Sequence, residues 1–267
     1  MVTEKEFARL VDFIRSEAGI DLSQKRNLVS TRLEKYLQES AYSCLDDYLD
    51  CVIRNAAGKE AEQLINVLTT NHTFFWREEQ HFVFLEKYIL PELKEKCFTR
   101  HDLRIWCAAA STGEEPYTLA MVLMDFFGKE HYLWDTTILA TDISTKVLNQ
   151  ARLGAYPRES INQLPQVWQS RFFRQEGEMA VVTDELKRQV LFRRLNLMSP
   201  FLFHKKLQVV FLRNVLIYFD NETKKKTVDK IVDVIEPGGY LFIGTTESVS
   251  KMNDRLEYVM PAVYRVK

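Results

Sequence analysis

The sequence predicts an α/β protein: a doubly wound, mostly parallel sheet preceded by an all-helical domain and interrupted by a small inserted β subdomain. Three observations point there. From residue 103 onward, apolar runs of strand length alternate with amphipathic runs of helix length, as in successive βαβ units. Before about Asn71 the apolar residues recur instead at three- and four-residue spacing, as on helix faces sharing a core. Between Tyr156 and Leu195 the alternation breaks, leaving space for a separate β excursion. The predicted divisions are 1–72 for the helical domain and 73–267 for the sheet domain, with the insertion at about 156–195.

Phe7, Leu10, Val11 and Ile14 mark a first helix, Leu28, Leu33, Tyr36 and Leu37 a second, and Leu64, Val67 and Leu68 a later one. Asp21 and Ser23 are candidate N-caps for the second helix. That helix carries Lys25, Arg26, Arg32 and Lys35 against one acid, Glu34. On a helical wheel Lys25, Arg32 and Lys35 fall within roughly 80° of one another, a basic ridge beside the apolar stripe. A solvated helix face has the same appearance. An amphipathic helix follows near Glu78 to Lys94, then strand 103–109, a helix over 116–127 opened by Pro116, strand 137–142, and helix 145–153 closed by Gly154. Within the insertion a helix-like QVWQSRFF precedes two strand candidates, Ala180 to Thr183 and Val190 to Arg193. Leu207 to Leu212 is a third sheet strand and Glu222 to Ile235 a helix. Pro237-Gly238-Gly239 then turns into strand 240–245, and Ala262 to Val266 forms an antiparallel last strand.

Composition narrows the function. A chain of 267 residues with 46% hydrophobic and 27% charged residues is globular rather than disordered. Its 36 basic and 37 acidic residues nearly cancel, which argues against a general grip on nucleic acid or an anionic membrane. The start MVTEKEFARL lacks an apolar core of signal-peptide length, and no window approaches the roughly 20 apolar residues of a membrane span, so a cytoplasmic protein is expected. Cys44, Cys51, Cys97 and Cys107 have no paired spacing and are expected as reduced thiols. The five histidines are scattered without a His/Cys cluster, so no metal site is expected. A monomer is expected.

The segment 103–119, LRIWCAAASTGEEPYTL, runs from an apolar strand through a tight turn into a helix, the local shape of a nucleotide-like ligand site. Its turn has a single glycine, Gly113, so it lacks the three glycines that bring backbone against a pyrophosphate. Glu114 and Glu115 would repel phosphates but attract a cation such as the sulfonium and amino group of S-adenosylmethionine. Alternatively, they only favour the helix N-terminus. Asp142, at the end of the next strand, is placed to accept from both hydroxyls of a ribose, or to cap the following helix. In TTNHTFFWR, at the junction of the two domains, Asn71 and Thr73 offer short polar arms, and Arg77 can pair with a carboxylate bidentately. Asn214 lies just past the third strand, and Asn196-Leu197 offer an amide and an apolar contact to an adenine. Loop asparagines commonly stabilise turns; the signal is their convergence on one sheet edge.

AAASTGEEPYTLA, TNHTFFWRE, ATDIS, RNVLIYF and EPGGYLFIGTTES, spread over about 200 residues, resemble the CheR-type chemotaxis protein methyltransferases, and the likeness covers nearly the whole chain. The resemblance implies a protein-glutamate O-methyltransferase. Such an enzyme has a helical domain, an S-adenosylmethionine-dependent methyltransferase domain and an inserted β subdomain. It would methylate glutamate side chains on the cytoplasmic helical region of membrane chemoreceptors for sensory adaptation, leaving glutamyl methyl esters and S-adenosylhomocysteine. By motif, Asn71, Thr73 and Arg77 contact the cofactor or line the transfer site. Glu115 and Asp142 hold the cofactor, Asp142 on the ribose, and Asn196, Leu197, Asn214 and Val215 surround the adenosyl group. Tyr218 joins Arg77 near the reacting centre, and the ridge of Lys25, Arg32 and Lys35 meets the acidic receptor helices. Some members dock a receptor's C-terminal peptide on the insertion; QEGEMAVV here is shorter than in those members. Two rival readings are a nucleic-acid methyltransferase and a non-catalytic S-adenosylmethionine-binding signalling protein.

Overall fold

The structure, a computed structural model, describes residues 2–38, 42 and 44–267. Helix α1 (Glu4–Ala18) opens on a capping box in which the Thr3 hydroxyl accepts from Glu6 N and Glu6 accepts from Thr3 N, and it ends on Gly19 at φ 72°. With α2 (Arg26–Gln38), α3 (Leu45–Arg54) and α4 (Lys59–Leu68) it encloses a core that includes Leu10, Ile14, Val29, Leu33, Tyr48 and Leu64. Asp21 does not cap α2. Its carboxylate accepts from Ser23 N at 3.0 Å inside the connecting turn, and its own N–H donates to the Tyr218 carbonyl at 2.7 Å.

The helix expected at Glu78 to Lys94 forms as α5 (Glu79–Phe84) and α6 (Leu90–Lys96), joined through a widened π turn, Leu85–Ile89. Pro91 explains the interruption. It has no N–H to return to the preceding turn, so the hydrogen-bond ladder is broken just where the backbone widens.

The remaining elements are β1 (Ile105–Ala108), α7 (Glu114–Phe127), β2 (Ile138–Asp142), α8 (Thr145–Leu153), β3 (Ala155–Pro157), α9 (Gln166–Phe172), β4 (Phe173–Glu176), β5 (Met179–Val182), α10 (Asp184–Lys187), β6 (Val190–Arg194), β7 (Leu207–Leu212), α11 (Asn221–Val234), β8 (Ile235–Ile243), β9 (Leu256–Met260) and β10 (Val263–Val266). The main sheet runs β6-β2-β1-β7-β8-β10-β9, parallel except around β10, which is antiparallel to both neighbours. Strand residues alternate between its faces. Ile105 and Cys107 face the core shared with α5, α6 and α7, while Trp106 and Ala108 face α11 and the rings of Phe201 and Phe203. The chain steps from β1 to β2 on one side and from β7 to β8 on the other. The carboxyl ends of β1 and β7 therefore flank the topological switch point, where loops diverge and a crevice opens.

Three elements differ from the sequence reading. Val190 to Arg193 does not belong to the excursion: β6 pairs in parallel with β2, from Ile138 opposite Val190 to Asp142 opposite Arg194. Its inward residue Phe192 packs edge-on against Tyr117, and Arg193 and Arg194 are the charges of a protected sheet edge. The small sheet is instead β3-β5-β4. Pro237-Gly238-Gly239 is a bulge within β8, where the register moves from Leu207 opposite Ile235 to Val209 opposite Tyr240. Helix α7 starts at Glu114, with Pro116 third, among the first positions whose N–H has no intrahelical partner.

Candidate active site

A cleft of about 1070 Å³, counting solvent at its mouth, lies over the carboxyl ends of β1, β2, β6 and β7 and is closed from above by the helical domain. Ala109, Ala110 and Ser111 follow β1, Asp142 and Ile143 end β2, Leu195, Asn196 and Leu197 follow β6, and Arg213, Asn214 and Val215 follow β7. The lid is made by Ile20 and Leu22 of the α1–α2 connection and by the 68–73 segment. It is tied down by backbone and side-chain bonds. Ile20 bridges to Phe219, the Asn196 amide donates to the Glu17 carbonyl at 2.5 Å, and the Ser111 hydroxyl donates to the Asn71 carbonyl at 2.9 Å.

Of the residues singled out from sequence, Asn71, Thr73, Arg77, Glu115, Asp142, Asn196, Leu197, Asn214, Val215, Tyr218 and Lys25 all line this cleft. Arg32 and Lys35 do not. The Arg32 guanidinium donates to the carbonyls of Leu68 and Thr69 at 2.9 and 3.0 Å, closing the C-terminus of α4, and Lys35 stands exposed. The ridge is thus three cations in three settings, with Lys25 over the Tyr218 ring at 5.0 Å. Of the two adjacent acids, only Glu115 reaches the cleft. Burial raises the Glu114 carboxyl above its usual range, and it accepts from the Thr112 hydroxyl at 2.6 Å.

Asp142 is buried at the end of β2, and both its oxygens already accept a backbone N–H, from Ser144 and Ser111, each at 2.9 Å. Burial raises its pKa while those bonds oppose the rise. Each carboxylate oxygen has a second lone pair, so a diol can still be accommodated. Arg77 donates to the His72 carbonyl at 2.9 Å, lies 5.6 Å from the Phe74 ring centroid and has no carboxylate partner among the described residues.

Beneath the cleft is a buried charge cluster that the motif reading missed. Arg213 pairs with Glu115, lies 3.3 Å from Glu78 and donates to the Arg77 carbonyl. Burial alone would raise the Glu78 carboxyl, but Arg213, Asn214 and His81 hold it below its ordinary value. Burial, followed by Arg213, lowers His81 to about 4, so it is neutral at pH 7. Burial and the adjacent carboxylate push the Cys107 thiol up, and it donates to Glu115 at 3.0 Å. Two carboxylates against one guanidinium leave one negative charge under the cleft. The sequence did hold a signal for Arg213: a cation ending a wholly buried six-residue strand demands a buried partner. Ile20 and Leu22 had none, because only domain docking brings them here.

The loops are held in unusual backbone conformations. Trp76, Glu78, Ala109, Ser111 and Asn214 all have φ between 50° and 61°. Glu247 ties the loop after β7 to the segment after β8 by accepting from the N–H groups of Asn214, Gly244 and Ile217 at 2.9, 2.6 and 3.1 Å. The donor set suits S-adenosylmethionine. There is a buried carboxylate for a ribose, Ile143, Leu197 and Val215 as apolar walls, a second carboxylate, Glu115, for a sulfonium or ammonium, and no glycine cradle for phosphates.

Comparison with known proteins supports the cofactor read from this cleft. Residues 5–69 match the family described as CheR methyltransferase, all-alpha domain, and residues 71–264 match CheR methyltransferase, SAM binding domain. The chain is 38% identical to the chemotaxis protein methyltransferase of Borreliella burgdorferi, over 99% of this chain and 95% of that one. It is 35% identical to the Escherichia coli chemotaxis protein methyltransferase, over 98% and 91%. Among solved structures, the plantazolicin methyltransferase BpumL in complex with SAH aligns over 66% of this chain and 54% of its own with a TM-score of 0.37 and 11% identity, too distant to add to the sequence match. Since both halves match, and relatives at this identity span almost the whole chain, the protein belongs to the CheR family of S-adenosylmethionine-dependent chemotaxis methyltransferases.

Proposed function

We propose that the chain methylates glutamate side-chain carboxylates on the cytoplasmic helical region of membrane chemoreceptors, giving glutamyl methyl esters. The observation that carries this is the pair of cations, Arg77 and Lys25, which line the cofactor cleft without a carboxylate partner among the described residues. An acidic acceptor would find its counter-charges there. No described helix is long and apolar enough to cross a membrane, consistent with an enzyme that meets its receptor from outside the bilayer.

When bound, S-adenosylmethionine supplies a methyl group on a positively charged sulfur. A glutamate carboxylate, with a reference pKa of about 4.3, is already the deprotonated nucleophile at neutral pH, so no side chain of the enzyme has to remove a proton. The protein's task is placement and exclusion of water. Asp142 would hold the ribose, Glu115 the cationic end, and Asn71 and Thr73 the amino-acid end. Asn196, Leu197, Asn214 and Val215 would enclose the base, with Ile20 and Leu22 as the lid. Arg77 would orient the acceptor carboxylate with Tyr218. Its Nη1 bond to the His72 carbonyl and its place by the Phe74 ring steady the guanidinium and leave its other N–H groups for the acceptor. Lys25 and the exposed Lys35 would attract an acidic receptor helix, an effect that salt weakens.

Incubation with methyl-labelled S-adenosylmethionine and receptor cytoplasmic fragments tests this. Base-labile label on receptor glutamates is expected. Cofactor uptake without transfer to any receptor fragment, or label appearing on nucleic acid with steeply salt-dependent binding, would overturn it.

A further inference from the structure

We infer that Arg213 is a positioning residue, one side chain that aims Glu115 at the cofactor and fixes the peptide carrying Arg77. The inference rests on the site reading proposed above. The guanidinium is fully buried and is delivered by β7, which ends one residue before it at Leu212. Nη1 pairs with Glu115, while Nη2 donates to the Arg77 carbonyl and lies 3.3 Å from Glu78. Its carbon centre sits 5.2 Å from the Phe82 ring centroid. The partners come from α7 and from the junction before α5, separated from Arg213 by 98 and 136 residues. A planar fork can satisfy both directions together, whereas an ammonium is a single point charge. Side chains on both sides of the transfer are therefore braced on one group: Glu115 through its carboxylate, and Arg77 through its own backbone.

The charged and titratable groups facing this guanidinium are Arg77, Glu78 and His81 from the junction and α5, Cys107 from β1, and Glu115 from α7; Glu247 reaches the same loop through Asn214 N–H. Neutral His81 and the protonated Cys107 thiol leave the two carboxylates as its counter-charges. Without the guanidinium those carboxylates would face each other in a buried site, and one would take up a proton as pH falls.

Calorimetry on the full chain, comparing S-adenosylmethionine with S-adenosylhomocysteine from pH 6 to 8.5, tests this with Arg213→Met, Arg213→Lys and Glu115→Gln. For Arg213→Met the expected result is about a tenfold or greater loss of S-adenosylmethionine affinity at the acid end, recovering as pH rises and the carboxylate ionises, with a smaller change for the product, which lacks the sulfonium charge. Combining it with Glu115→Gln should add little to either single loss, because Arg213 acts through Glu115. Arg213→Lys keeps the charge but loses the fork, so it should retain affinity within about threefold while turnover on receptor fragments falls about tenfold. Equal, pH-independent weakening of both ligands, additive losses in the double variant, or wild-type turnover in Arg213→Lys would overturn the inference. If Arg213→Met does not fold, Arg213→Lys decides the matter by its split between affinity and turnover. Wild-type cofactor binding without transfer to receptors would defeat the substrate reading alone, leaving the ligand comparison intact.

Discussion

At the scale of single residues, the site is a set of short polar side chains whose backbone does as much as their functional groups. Asp142 and Asn214 were legible in the sequence because a polar residue ending an apolar strand run sits at the sheet edge where ligands bind. The pairing of Glu115 with Arg213 was not, since 98 residues separate the partners. Arg77 gives the sharpest prediction at this scale. Arg77→Ala should lower turnover about a hundredfold while cofactor affinity measured by calorimetry stays within a few fold; an effect confined to affinity would remove Arg77 from the acceptor side. His81 gives a pH signature. Its folded pKa of about 4 lies below the ordinary value of 6.5, so the unfolded chain binds the proton first. Its contribution is therefore complete above pH 6.5 and is lost as pH falls toward 4, by up to roughly 3 kcal/mol. Glu78, held below its ordinary 4.5, loses its contribution only at lower pH, and the buried Glu114, Asp142 and Glu247 carboxyls, held high by burial, act in the opposite sense. The test is thus the difference between His81→Gln and the wild type in denaturant unfolding, which should shrink between pH 6.5 and 4.5.

Among the elements, the turn from β1 to α7 is the most constrained. Gly113 has φ 100°, and a Cβ there would stand 2.9 Å from both the Ala151 Cβ and the Tyr156 hydroxyl. Gly113→Ala combines backbone strain with overpacking, together about 2–5 kcal/mol, and should lower the melting temperature by about 5–15 °C in a thermal scan. The second helix separates two roles that its sequence presented as one. Arg32→Ala removes the donor that closes α4 and should destabilise the protein by about 1–3 kcal/mol in denaturant unfolding. Lys35→Ala should leave stability within about 0.5 kcal/mol and weaken receptor binding chiefly at low salt. Periodicity revealed α7, α8, β2 and β7 because each has a strong apolar pattern. It misplaced β6, whose paired arginines resemble an exposed ribbon, and it gave no sign of β9, whose five residues are mostly exposed. The π turn before Pro91 was hidden because its widening leaves the apolar spacing helical.

Taken whole, the molecule has a sheet that supplies the floor of the site and a helical domain that supplies its roof, with neither half enclosing the cleft alone. The doubly wound order and the helical lead domain could be read from alternation and spacing, but the way the α1–α2 connection folds down onto Tyr218 and Phe219 could not, since no local pattern encodes a docking contact. That closure unites the candidate residues, and it is what the central claim requires. The most direct measurement is a crystal structure of the full chain with S-adenosylhomocysteine. The product should lie in the junction cleft, its ribose hydroxyls on Asp142, touching the 69–73 segment above and the loops after β6 and β7 below. Product bound elsewhere, or in the cleft with Asp142 turned away from the ribose and no contact from the helical half, would contradict the account.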